Sequence, residues 1–264
     1  MDSFKGVTAL RKIIDFVSAI SLITLTSCGI EKPLVVVNNS EDVVVASENA
    51  TEFRTDVSVG NICVSYGDTS DAEVHAEYKI QGITQNKVST VSEHLSCIAE
   101  IEDDVLVVSI IDPETGKSFW EWKNSNAKAV EVEADVNIVL PKDFNRFFIN
   151  ADVGNVEIEN LCGEFEVNSD VGNLEMNNIS ILNDSVFSVD VGNCSISLGD
   201  VEECDVKVSV DVGDINLDIG EHKYSTASGG DDKPVGGKEE IVVDGKCNIK
   251  LGCDVGNIDI NQEG

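Results

Sequence analysis

Four residues, Asp-Val-Gly-Asn, recur down the chain with almost no drift, and nothing else limits the available folds so strongly. They stand at Asp152–Asn155, Asp170–Asn173, Asp190–Asn193 and Asp254–Asn257, with a variant ending in Asp at Asp211–Asp214. The leading Asp residues are 18, 20, 21 and 43 residues apart, the last interval being close to two periods. A catalytic motif ordinarily occurs once, because one pocket needs one set of groups. A cassette repeated about every 20 residues marks a structural unit that stacks on its own copies.

The flanks say what the unit is made of. Apolar and polar residues alternate after the motif, as at Val156 and Ile158 or Ile215 and Leu217, and before it, as in Val206-Lys-Val-Ser-Val210. That period of two marks half-buried strands. A Gly between two strands supplies a bend that a residue with a Cβ resists. The chain therefore reads as all-β: a single-stranded parallel β-solenoid of about 20-residue coils over residues 130–264, like a β-helix. Its corner residues are Asp152, Gly154, Asn155, Asp170, Gly172, Asn173, Asp190, Gly192, Asn193, Asp211, Gly213, Asp214, Asp254, Gly256 and Asn257. Parallel stacking sets like residues about 4.8 Å apart, so the Asn and Asp side chains form ladders. Asn residues can bond to one another, whereas Asp residues must be solvated, interleaved with donors or bridged by a cation. Calcium is the second reading of those Asp rows, although neither the Gly-Gly-x-Gly-x-Asp repeat nor an EF-hand loop is present. No other metal or cofactor is expected.

Residues 28–129 are also β-rich but less regular. Val88, Val91, Leu95 and Ile98 have helical spacing and suggest one short helix. Phe119-Trp-Glu-Trp122, the only aromatic cluster, reads as a cap over the open end of the stack, with a carbohydrate-stacking platform as the alternative. The Gly-rich segment Ser225–Lys238 interrupts the repeat and reads as an exposed excursion.

At the N-terminus, Lys5, Arg11 and Lys12 precede an apolar run from Ile13 to Thr26, too short to span a bilayer, which needs about 20 residues. The run ends in Leu25-Thr-Ser-Cys28-Gly, which resembles the lipobox of bacterial lipoproteins. The resemblance implies a signal peptide at residues 1–27, cleavage before Cys28 and acylation of the Cys28 thiol, hence an exported protein tethered to a bacterial membrane. Asp15 inside the apolar run departs from that pattern. Seven cysteines then remain, an odd number, with no zinc-type spacing; Cys194, Cys204, Cys247 and Cys253 alternate with Val, Ile or Leu, so small buried hydrophobes are their default role.

Acidic residues outnumber basic ones 49 to 18, for a formal net charge of -31. Such a surface repels phosphate backbones, which argues against nucleic-acid partners. Only Arg54 and Arg146 follow the leader, and the three His residues are scattered, so no nucleophile–base constellation can be assembled from spacing.

Several stretches resemble the DUF4097 family of inferred adhesins. They are Gly60–Tyr78, Val136-Asn-Ile-Val-Leu-Pro-Lys142, Phe148–Ile158, Asp244–Leu251 and the final Val255-Gly-Asn-Ile-Asp-Ile. The resemblance implies an envelope-associated β-solenoid without established catalytic residues. The function expected is a lipid-anchored, acidic surface scaffold for adhesion or envelope interaction. An envelope-stress sensor that binds a partner through its acidic face is the alternative, and a β-helix enzyme acting on polysaccharide is the less favoured third.

Overall fold

The computed structural model describes residues 19–23, 34–47, 49–199, 204–226, 237–241 and 246–262. Cys28, nearly all of the expected leader and most of the Gly-rich excursion lie outside them. The described chain is all-β with two short helices, α1 (Gln85–Glu93) and α2 (Phe119–Asn126), and its 21 strands form one hydrogen-bonded network.

Two parallel runs make up most of it. In the first, strands Glu52–Val59, Arg146–Val153, Cys162–Val171, Ser185–Val191, Cys247–Val255 and Cys204–Val212 lie side by side in that order. In the second the order is Ile62–Tyr66, Val156–Glu159, Leu174–Ile181, Cys194–Leu198, Ile258–Gln262 and Ile215–Ile219. Each rung passes from one run to the other through a Val-Gly corner. Alternate residues face a single core. Phe147, Ile149 and Ala151 are buried from one rung, Phe165 and Val167 from the next, and Ile158, Met176, Ile196 and Ile260 from the opposite wall. Phe147 and Phe165 stack at 5.0 Å.

The sheet as a whole is mixed, not parallel throughout. Leu34–Ala46, Asp71–Gly82 and Glu131–Leu140 pair antiparallel, as do Ser96–Glu102 and Val105–Asp112. Ala19–Ile23, inside the apolar run read as a leader core, pairs antiparallel with the start of Leu34–Ala46. Glu131–Leu140 also pairs with Ile62–Tyr66, so hydrogen bonds join the regions on either side of residue 130.

The rungs do not stack in chain order. The last one, ending at Val255, is inserted between the rungs of Val191 and Val212. The 43-residue interval is therefore not two periods. After Ile215–Ile219 the chain turns back, and His222–Ser225 and Gly237–Ile241 pair antiparallel with the outermost rung on its two walls. Both exposed edges of the stack are thereby covered, and the final rung closes the gap behind them.

Cys204 and Cys247, in register on neighbouring rungs, form a disulfide, so these two are not the free buried thiols expected. Cys194 and Cys253 are free and buried. The helical spacing from Val88 holds only as far as α1, which buries Val88 and Val91; Ile98 is already in a strand.

Candidate functional site

The corners stack in a column, and each motif position has a different fate there. All five motif glycines have φ between +148° and +154°. A Cβ on Gly172 would lie 1.8 Å from the carbonyl oxygen of Gly154, and one on Gly213 would lie 1.7 Å from that of Gly256. Glycine is thus required twice, by its backbone angle and by contact with the rung beside it.

The fourth position forms a continuous ladder. The Asn155 backbone and side-chain N–H groups donate to Asn61 Oδ1 at 2.9 and 3.2 Å, and Asn173 does the same to Asn155 at 3.0 and 3.2 Å. Asn193 donates to Asn173, and Asn257 to Asn193. Both ends are Asp. At one, Asp135 Oδ1 accepts from the Asn61 backbone and side chain at 2.7 and 2.8 Å. At the other, the Asp214 N–H donates to Asn257 Oδ1, and its carboxylate accepts from the Thr226 hydroxyl at 3.1 Å. A carboxylate cannot donate: Asp135 has no earlier rung to donate to, and at Asp214 the backbone N–H alone bonds to Asn257 Oδ1 while the carboxylate accepts from Thr226. Asn61, which ends a Ser58-Val-Gly-Asn sequence lacking the motif's Asp, belongs to the ladder; Asp135 and Thr226 carry no sequence mark of membership.

The first two positions point outward. Val153, Val171, Val191, Val255 and Val212 are 46–48% exposed, and they pair rung to rung in one line. The same register sets Asp152, Asp170, Asp190, Asp254 and Asp211 in an exposed acidic column beside them. On the first rung, level with Asn150 and two residues short of the column, burial and then the charge of Asp152 push the Asp56 carboxyl above its usual range. Among the described residues no three of His, Cys, Asp and Glu come together as a metal centre would need.

The aromatic cluster divides. Phe119 and Trp120 are buried in the core, as a cap requires. Trp122, a turn further along α2, stacks on His94 at 4.0 Å. His94 Nδ1 lies 2.9 Å from the fully buried carboxylate of Asp112. Burial alone would raise the Asp112 carboxyl, but hydrogen bonds from Thr115, His94 and the Glu114 N–H hold it below its usual range. Trp122 also lines a cavity of about 430 Å³ between α1 and α2.

Four of the free thiols are poor nucleophiles. Burial pushes Cys194 far up, and Cys63, Cys162 and Cys253 are raised mainly for the same reason. Among the described residues no helix is long and apolar enough to cross a membrane.

No family model matches the chain and no curated protein does, so the DUF4097 resemblance rests on its short motifs. Among solved structures the chain is similar to a candidate cell adhesion protein from Clostridium sporogenes, with 17% identity and a TM-score of 0.49, over 86% of this chain and all of that one. It is also similar to a candidate adhesin from Bacteroides fragilis, with 12% identity and a TM-score of 0.28, over 84% of this chain and 96% of that one. A candidate lipid-binding protein from Parabacteroides distasonis shows 12% identity and a TM-score of 0.28, over 86% of this chain and 97% of that one. With identities this low and TM-scores below one half, the functional conclusion has to come from the chain's own residues.

Proposed function

We propose that the chain is an exported, lipid-tethered protein of the bacterial envelope that presents one edge of a solenoid-like β-stack as an adhesion surface. One observation carries this: of the four repeated residues, stacking accounts for Gly and Asn, while Asp and Val stay exposed in straight columns. A rigid apolar ridge beside a row of carboxylates suits a partner that is itself extended and carries apolar and cationic groups. Acylation of Cys28 would hold this edge at the membrane, since two or more acyl chains give stable anchoring.

The experiment replaces Val153, Val171 and Val191 together with Thr, a β-branched residue suited to an exposed strand. Binding of the purified protein to envelope preparations should fall with no change in melting temperature. Unchanged binding would remove the edge from consideration. Separately, Cys28→Ser should move the protein from the membrane to the soluble fraction, and continued membrane retention would remove the tether.

A second reading, a regulatory sensor that binds a cationic partner through the acidic face, draws on the net charge of -31. It predicts that exchanging Asp170 and Asp190 for Asn abolishes partner binding while the Val variant retains it.

A further inference from the structure

The cavity between α1 and α2 lies apart from the stacked corners and has the opposite electrostatic character. Of its eleven lining residues two are lysines, Lys87 and Lys128, and none is acidic. In a chain where acids outnumber bases 49 to 18, that is a local reversal of charge. Neither lysine takes part in an ion pair among the described residues, whereas Lys79, Lys142, Lys207 and Lys223 all do. Both are exposed, so their ammonium groups are available to a ligand.

The rest of the lining has two kinds of surface. Trp122, with Val91, Val130 and two alanines, makes an apolar wall. Asn86, Thr90 and Ser125 bring hydrogen-bonding groups that are exposed. At about 430 Å³ the cavity lies within the range of small-molecule sites. Stacking on His94, which buried Asp112 holds, and on Phe119 at 6.0 Å fixes Trp122 in place before any ligand arrives and leaves only the remaining part of its ring to the cavity. An apolar wall, a polar rim and two unpaired ammonium groups match a ring with a hydrocarbon face, hydroxyls at its edge and one anionic substituent. The acidic remainder of the protein repels such a ligand only weakly at physiological salt, where the screening length is about 8 Å.

We propose that this cavity binds an acidic saccharide unit, a uronate or sulfated hexose, with Lys87 and Lys128 receiving its anionic group and Trp122 its apolar face. The inference is independent of the Asp–Val edge, and either can fail alone.

The test is titration of the full chain with methyl β-glucuronide, methyl β-glucoside and sodium sulfate at constant ionic strength, followed by calorimetry and tryptophan fluorescence. The glucuronide is expected to saturate by the millimolar range and to alter the Trp122 emission, with the glucoside at least about tenfold weaker, the scale of a lost charged hydrogen bond. The exposed, unpaired lysines allow a Lys87→Gln/Lys128→Gln variant that keeps the fold, and it should bind the glucuronide at least about tenfold more weakly. Trp122→Phe should remove the fluorescence response. Absence of saturation with the glucuronide, or equal binding by the glucoside, or an unchanged affinity in the lysine variant would each overturn the proposal. Sulfate alone giving the same saturation and emission change would also overturn it, leaving a simple anion site.

Discussion

Replacing Gly172 by Ala puts one methyl group where the corner column has no room. That Cβ would sit 1.8 Å from the Gly154 carbonyl oxygen and 2.6 Å from its carbonyl carbon, with φ at +154°. Contacts of this kind are not found below 3.0 Å, so the two rungs must part by 1.2 Å at the corner. Four hydrogen bonds cross that gap. Gly154 N–H donates to Val171 O and Val156 N–H to Asn173 O, both at 2.9 Å. Asn173 donates from its backbone and side chain to Asn155 Oδ1 at 3.0 and 3.2 Å. Each is worth about 1 kcal/mol net, and an L side chain at this backbone angle adds about 1–3 kcal/mol of strain. Partial relaxation lowers the sum, so the expected loss is about 3–6 kcal/mol, a large share of a domain's stability.

Equilibrium urea unfolding followed by circular dichroism measures that loss, and Gly116→Ala supplies the control. Gly116 also has positive φ, at +67°, but nothing lies within 4 Å of a Cβ built on it. It should cost only the left-handed backbone penalty, about 1–2 kcal/mol. If the two variants lose the same stability, close approach at the corner is not what excludes a side chain there, and the stacking argument fails.

Asn173→Asp removes the donor to Asn155 and sets a carboxylate inside the ladder; it should cost about 1–3 kcal/mol in the same assay, whereas Asp214→Asn at the end of the column should be nearly neutral. The Cys204–Cys247 disulfide closes a separation of 43 residues, so Cys204→Ala/Cys247→Ala should lower stability by about 4 kcal/mol, and reductant should shift wild type but not the variant. His75 Nδ1 lies 2.6 Å from Asp42 on the neighbouring strand, and that hydrogen bond outweighs burial and raises the imidazole above its ordinary value. The protonated ring is the stabilised form, so its contribution is full below the unfolded pKa of about 6.5 and is lost as pH rises through the folded value. Both groups are more than a third exposed, which limits the effect to about 0.2–1 kcal/mol. His75→Ala should remove this segment of the stability–pH curve.

Local chemistry was legible in the sequence, and long-range order was not. Period-two alternation gave the strands, and a Gly between alternating runs gave the corners, because both depend on near neighbours. The position of the Val255 rung depends on which strand edge is free when it arrives, and no interval encodes that. One overlooked signal was present: Cys204 and Cys247 each lie seven residues before a motif Asp, Asp211 and Asp254. Equal offsets from a stacked corner place two residues side by side if their rungs are neighbours, and these rungs are. Asp214 was a second signal, since a carboxylate in a ladder of Asn breaks the side-chain donation to the rung beside it and accepts from Thr226 instead. The aromatic cluster looked like one feature because its residues are adjacent in sequence. On α2 Phe119 and Trp122 are a turn apart and stack at 6.0 Å, so depth separates them: Phe119 and Trp120 are buried, and Trp122 reaches the cavity.

The columns of Asp and Val are harder to attribute to folding. Neighbouring carboxylates about 4.8 Å apart repel by about 1 kcal/mol in water before salt screens them, so the acidic column opposes the stack that carries it. An exposed Val gains little from burial. Other outward positions of the same rungs have diverged: the second residue after the corner Asn or Asp is Glu157, Glu175, Ser195, Asp259 or Asn216. Two residues before the leading Asp the chain has Asn150, Asn168, Ser188, Ser209 or Gly252. Strand pairing therefore tolerates varied side chains on the solvent side of these rungs, including uncharged ones. Against that drift, five copies hold Asp and Val at two exposed positions that the backbone does not dictate, and one of the two works against stability. The proposed adhesion edge, which needs the residues to stand in a row, would account for both.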